Sequence, residues 1–312
     1  MSITQIELNT RSATLIALDA PRPATTTGIV WLDVSAPTED DLGWLARTYN
    51  FHPLAIEDCR EFNQRAKVES YGDYLFVSLT TTQRKDGELT PQEIEAFLGP
   101  DYLITVHREP LAAIGEVREH WNTSARPDFL LYLIADHMVD VYFPMLDEME
   151  DEIDTLEDEI LENATQTTMH RIFALKQQLV FLRKITAPMR DLMNALAGTR
   201  FGLIDAPTAL YFRDVFDQLV RIYDLVETSR DLLGNALDAY LSTVSNRLNE
   251  VMKRLTLFTT IFMPISFLVG FGGMNFTQWI PFDSQIAFGI MIGLIVIVPT
   301  VMMIWFWRSK WV

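Results

Sequence analysis

Asn275 stands in the stretch SFLVGFGGMNFTQWIPF, residues 266–282, which carries no charged side chain and surrounds the amide with glycines, aromatics and a proline. An amide oxygen is a neutral hydrogen-bond acceptor. Several such oxygens converging on an axis could bond the water shell of a cation without stripping it, which suits a small divalent ion that dehydrates reluctantly. A ring of carboxylates would hold the ion more tightly and slow its release. Counting back from Asn275, the residues Gly270, Ser266, Met263, Thr259, Leu255, Met252 and Asn249 recur at helical intervals. They span about seven turns at 3.6 residues per turn and therefore share one face. That face is small, weakly polar or flexible. It suits either close helix–helix packing or the wall of a narrow lumen, and composition alone leaves both readings open.

Such a face needs a long helix in an apolar setting. From Leu255 to Phe282 there is no Asp, Glu, Lys, Arg or His; Asp283 interrupts, and Ser284–Trp307 is again uncharged. A bilayer core takes roughly 20 apolar residues of helix, so these runs predict a transmembrane hairpin rather than a buried soluble one. Lys253 and Arg254 precede the first run, and Arg308 and Lys310 follow the second. Positive flanks stay inside, so both termini are expected on the cytoplasmic side of the plasma (inner) membrane, with Thr277–Asp283 as the outer loop. Two spans cannot enclose a pore, so a channel requires several copies around an axis.

Upstream, the helical pattern runs back to about Leu210 with Gly234 as its one glycine before Pro264. A helix from 210 to 274 would be about 100 Å long, which predicts a stalk leading from the soluble part into the membrane. Before it, Leu146, Met149, Ile153, Leu156 and Ile160 form one apolar seam, while ten acids fill other positions of 147–162. After a break at Asn163–Thr168, Ile172, Leu175, Leu179 and Leu182 form a second seam, so an antiparallel helical hairpin is expected. The acids read first as a solvated face, with weak collective attraction for cations as a second reading. Residues 1–125 read as mixed α/β. GIVWLDV, DYLFVSLTT and DYLITVH have strand composition, TEDDLGWLARTYN opens a helix with a Thr cap and an acidic first turn, and RKDGELT is a turn between strands. The expected organisation is a cytosolic α/β domain (1–125), a helical hairpin and stalk (126–250), and two transmembrane helices (251–312).

Composition narrows the function. The chain has 312 residues, 49% apolar, with a formal net charge of −17. A strongly acidic chain repels phosphates, so nucleic acid is not an expected partner; membrane lipid and hydrated cations are. The start, MSITQIELNT, lacks a basic region followed by an apolar run and predicts no signal peptide. Cys59 is the single cysteine, so an intramolecular disulfide is excluded. No P-loop, GxSxG or HExxH is present, and no enzyme is predicted.

Gly273-Met274-Asn275 matches the GMN signature of the CorA family of magnesium transporters. The surrounding LSTVSNRLNEVMKRLTLFTTIFMPISFLVG resembles that family's pore helix, and FHPLAIEDC, NQRAKVESYGDYLFV, FLLYLIADHMVDVYF and YFRDVFDQ resemble family segments in the family's order. The resemblance covers most of residues 50–312 and implies a funnel-shaped homopentamer that conducts Mg²⁺, in some members Co²⁺ or Ni²⁺. It implies that Gly273, Met274 and Asn275 form the selectivity filter. Asn249, Met252, Leu255, Thr259, Met263, Ser266 and Gly270 would line the pore, with Leu255 and Met263 as a hydrophobic constriction. It further implies that intracellular Mg²⁺ is sensed between subunits by Glu57, Asp58 and Asp238, with Asp136 and Asp214 as a second, weaker pair. A bridging divalent ion would relieve repulsion between uncompensated carboxylates there. This chain departs from the family pattern in having Gly272 where Tyr often precedes GMN, no acid between Asn275 and Asp283, and few basic residues in the tail WRSKW. A related zinc-transporting branch, perhaps proton-coupled, shares GMN and is the alternative. The five His and one Cys show no zinc-ligand spacing, which favours Mg²⁺.

Overall fold

The computed structural model describes residues 3–7, 12–18, 20–23, 29–62, 64–85, 87–120, 126–198, 200–273 and 285–309. Contacts divide the chain into two units, Met1–Glu159 with Thr165–Leu237, and Ile160–Ala164 with Asp238–Val312.

The first unit is built on a seven-stranded sheet. In chain order the strands are β1 (Ile3–Glu7), β2 (Ser12–Leu15), β3 (Val30–Ser35), β4 (Lys67–Ser70), β5 (Leu75–Lys85), β6 (Glu88–Leu98) and β7 (Tyr102–His107). Their order across the sheet is β2-β1-β3-β7-β6-β5-β4. The β3–β7 pair is parallel and the others are antiparallel. The RKDGELT turn closes the long β5–β6 hairpin, with Lys85 opposite Glu88 and Gly87 at φ 86°, a left-handed conformation that suits glycine.

Strand side chains alternate between two buried faces. One face, with Leu32, Val34, Phe76, Phe97, Ile104 and Val106, forms a core with Leu42 and Leu45 of α1 (Glu39–Tyr49) and Ala55, Ile56 and Cys59 of α2 (Pro53–Glu61). Helix α1 starts as its sequence predicts: Thr38 and Asp41 form a reciprocal capping box. The other face is covered by α4 (Pro127–Asp140) and α6 (Gln166–Leu196), with α3 (Ala112–His120) against α4. Thr81 Oγ1 donates to the Met138 carbonyl at 2.7 Å, and Tyr142 donates its hydroxyl to the Thr80 carbonyl at 3.2 Å. The parallel strands are tied by a buried ion pair. His107 faces Asp33 through Nε2 at 3.1 Å and the Glu109 carbonyl through Nδ1 at 2.7 Å. Both partners are acceptors, so both ring nitrogens carry protons. Burial works against this charge, but the Asp33 carboxylate and the carbonyl outweigh it and raise the His107 pKa.

Helix α5 (Tyr142–Asn163) and α6 carry the two predicted seams, and each of their nine residues is 0–1% exposed. Arg171 of α6 reaches Glu152 at 3.5 Å and also Glu159 of α5, so the helices run antiparallel. The break between them is two residues, Ala164 and Thr165, where Thr165 and Thr168 form a capping box. Helix α7 (Ala206–Gly272) has 67 residues, about 100 Å at 1.5 Å per residue. Pro264 lies inside it; such a proline is tolerated where neighbouring groups satisfy the freed backbone. Helix α8 (Gln285–Arg308) carries the second uncharged run and ends on Arg308.

Among the described residues, three helical segments could cross a membrane by length and apolar composition. The apolar window in Pro127–Asn163 is 56% buried, mostly where α4 packs on the sheet, so it is a core helix. Those at the ends of α7 and α8 are 0% and 6% buried. The second unit thus carries two apolar segments that present their surfaces outward, as lipid or neighbouring helices require.

Candidate functional site

The seven residues predicted to share a face lie on α7, and all seven are exposed. Leu255 and Met263 are about two-thirds exposed, at 65% and 66%. The half-buried residues of the same stretch are Leu257, Thr260, Ile261, Pro264, Ile265 and Leu268. At 100° per residue these two sets fall on opposite sides of the helix. The stripe of small and flexible residues therefore lies within the side that the chain itself leaves uncovered, flanked there by the equally exposed Phe258, Phe262 and Phe267. Thr259 Oγ1 donates to the Leu255 carbonyl at 2.9 Å. Its proton is used within the helix, and its lone pairs remain available to a water on the open face. At the end of the helix the Gly273 amide donates to the Val269 carbonyl at 2.9 Å, so Gly273 is still held by the last turn. Met274, Asn275 and the Thr277–Asp283 loop lie outside the described residues.

At the other end of the stripe, Arg247 donates to Asn163 Oδ1 at 2.8 Å and to the Ala164 carbonyl at 3.3 Å. The tip of the α5–α6 hairpin is thereby tied to α7 two residues before Asn249. Arg254 pairs with Glu250.

Glu57 and Asp238 are exposed, and Asp58 is half-buried. The expectation of an uncompensated Asp58 is corrected here. Lys67 Nζ lies 2.7 Å from Asp58 Oδ2 and 3.0 Å from Glu69 Oε1, because α2 packs beside the start of β4. Asp136 and Asp214 do come together, on α4 and α7. Gln218 donates to Asp214 Oδ2 at 3.3 Å and also hydrogen-bonds Asp136. Burial, then Asp140, raises the Asp136 pKa, and Asp214 adds to it. Among the described residues no three His, Cys, Asp or Glu side chains of one chain are placed to hold a metal.

Sequence reasoning missed two ionisable residues next to Asp58. One is Lys67. The other is Glu95, fully buried on β6, whose Oε1 accepts from Ser78 at 2.9 Å while Oε2 has no partner among the described residues. Burial pushes its carboxyl up to about 8, and the charges of Glu93 and Asp58 push the same way. The alternating KVES pattern puts Lys67 and Glu69 on one side of a strand, which is a readable signal for the first. A lone Glu in a polar-looking strand gives none for the second.

An α/β unit, a very long helix and two outward-facing apolar segments are the features of a membrane-embedded protein. The profile of the family described as CorA-like Mg²⁺ transporter protein matches residues 26–308. The cobalt/magnesium transport protein CorA of Thermotoga maritima is 36% identical over 296 residues, covering 89% of this chain and 84% of that protein. The solved complete structure of the CorA magnesium transporter from Methanocaldococcus jannaschii superposes with a TM-score of 0.86 at 21% identity, covering 100% of this chain and 99% of that one. The zinc transport protein ZntB of Yersinia pseudotuberculosis is 24% identical, covering 96% of this chain and 92% of that protein. The chain belongs to the CorA-like Mg²⁺ transporter family. It is a transmembrane transporter of divalent metal cations and not an enzyme.

Proposed function

We propose that this chain forms a funnel-shaped homopentamer in the plasma (inner) membrane, with both termini cytoplasmic, and conducts Mg²⁺ and to some extent Co²⁺ or Ni²⁺ inward. The observation that carries this reading is the uncovered stripe on α7, opposite the half-buried side and leading straight into Gly273. Five copies turned so that the stripes face an axis would bury the exposed side and leave a narrow lumen. Asn275, with Gly273 and Met274, then presents neutral acceptors to a hydrated ion at the outer mouth. Asn249, Met252, Thr259, Ser266 and Gly270 line the way, and the Leu255 and Met263 rings form an apolar constriction that can close by dewetting.

Regulation follows from the carboxylates. Exposed Glu57 and Asp238 supply hard oxygens, the donor type that Mg²⁺ prefers. No single chain gathers enough of them among its described residues, so a regulatory Mg²⁺ is held by Glu57 and Asp58 of one subunit with Asp238 of the next. Asp136 and Asp214 form a weaker second site. The ion stabilises the closed arrangement only insofar as it binds that arrangement better. A second reading, zinc transport, is supported by the full-length likeness to a zinc transport protein. Flux of Mg²⁺, Co²⁺, Ni²⁺ and Zn²⁺ into proteoliposomes, with and without a proton gradient, separates the two. Mg²⁺ uptake indifferent to the proton gradient supports the first reading. Zn²⁺ uptake that requires the gradient supports the second.

A further inference from the structure

Lys67 is seated as a cation rather than as a loose surface lysine. Its Nζ is 2.7 Å from Asp58 Oδ2 and 3.0 Å from Glu69 Oε1, and it lies 5.8 Å from the centre of the Phe76 ring. Glu69 is itself fixed by the Tyr71 hydroxyl, which donates to Oε2 at 2.8 Å, and Tyr71 stacks on His52. The Lys67 and Asp58 side chains are only 30% and 16% exposed. The Lys67 ammonium donates to both carboxylates, which flank it with opposite charge. Two carboxylates on different elements thus converge on one positive centre.

We propose that Lys67 is a tethered counter-cation of Asp58 that sets how much internal Mg²⁺ is needed for regulation. This rests on Asp58 taking part in the regulatory site. While the site is empty, the ammonium neutralises Asp58, so this carboxylate adds little repulsion to the interface. A divalent ion must displace Nζ from Oδ2 before it can use that oxygen. The apparent affinity then equals the intrinsic affinity multiplied by the fraction of Asp58 free of Lys67. A partly exposed pair of this kind lowers that fraction up to about fivefold.

The test uses the full-length protein in lipid nanodiscs and liposomes, with Mg²⁺ as the probe. The readouts are the Mg²⁺ midpoint of thermal stabilisation and the Mg²⁺ midpoint of flux inhibition. Lys67→Gln is expected to move both midpoints to about three- to fivefold lower Mg²⁺. Lys67→Arg keeps the charge and can hold a carboxylate through two bonds, so its midpoints are expected at or above wild type. In an Asp58→Asn background, Lys67→Gln is expected to have no further effect. Unshifted midpoints in Lys67→Gln, alongside a shift in Asp58→Asn, overturn the counter-cation role while leaving Asp58 in the regulatory site. A fall in Lys67→Arg, or a Lys67→Gln shift that persists without Asp58, also overturns it. If Asp58→Asn itself changes neither midpoint, the regulatory reading of Asp58 fails first and this inference fails with it.

Discussion

Glu95→Gln should stabilise the transporter more as pH rises. Glu95 is fully buried, and burial lifts its carboxyl from 4.5 to about 8. Below pH 4.5 the acid is protonated both folded and unfolded, and it costs nothing. Between 4.5 and about 8 the unfolded chain ionises while the folded one does not, so folding stability falls steadily with pH. At about 1.4 kcal/mol per pH unit, the native acid costs roughly 3 kcal/mol at pH 7 and roughly 4 kcal/mol at pH 8, where the folded acid is itself half ionised and the cost levels off. Gln keeps the acceptor for Ser78 Oγ and has no charge to lose. Like the protonated acid, it leaves one polar atom unpartnered, so that cost cancels in the comparison. The assay is the thermal midpoint of wild type and variant from pH 5 to 8.5 in one detergent at constant ionic strength. The gap should be small at pH 5 and widen to pH 8. Parallel curves would show that Glu95 is ionised in the fold, through a partner to Oε2, and would refute the reasoning.

Asn275→Ala should reduce Mg²⁺ flux at least tenfold while the oligomer elutes unchanged on size exclusion; wild-type flux would remove Asn275 from the filter. Leu156→Ala, in the fully buried α5 seam, should cost about 2–5 kcal/mol, read as a lower denaturation midpoint. Leu161→Ala, at a position 76% exposed, should cost almost nothing, and equal losses at the two positions would contradict the seam. Asp58→Asn with Asp238→Asn should weaken inhibition of flux by internal Mg²⁺, because a hard divalent ion prefers charged oxygens; an unshifted inhibition curve would make both ordinary surface acids.

Periodic features were the most legible in the sequence. The two seams, the Thr38 cap, the hairpin turn at Gly87 and the long α7 each follow from local spacing or one backbone requirement. The strands that composition did not reveal are β1, β2, β4 and β6, and β6 shows why. ELTPQEIEAFL looks polar and contains a proline. Yet β7 pairs only with Glu95–Leu98, so Pro91 sits where β6 is bonded on one side alone, as an edge allows. Glu95 is tolerated because burial keeps it neutral. Neither condition is visible before the sheet is assembled. The uncharged C-terminal runs were legible because no soluble core of this size leaves such segments bare. The apolar run of α4 was not separable from a membrane span by composition, and only its packing on the sheet decides it. Among the candidate site residues, the shared face of the α7 stripe was readable from spacing. The Lys67 seat on Asp58 was not, because it joins a helix to a strand through tertiary packing.

The claim that the α7 stripe lines the cation path is tested most directly by cysteine substitution along that helix. Native Cys59 is fully buried and gives a quiet background. Single cysteines at Met252, Leu255, Thr259, Met263 and Ser266, and at Leu257, Ile261, Ile265 and Leu268, would be treated with a small hydrophilic thiol reagent while Mg²⁺ flux is recorded. Block in the first set, without block in the second, is the predicted result. Block confined to the second set, or reaction without regard to helical phase, would contradict it.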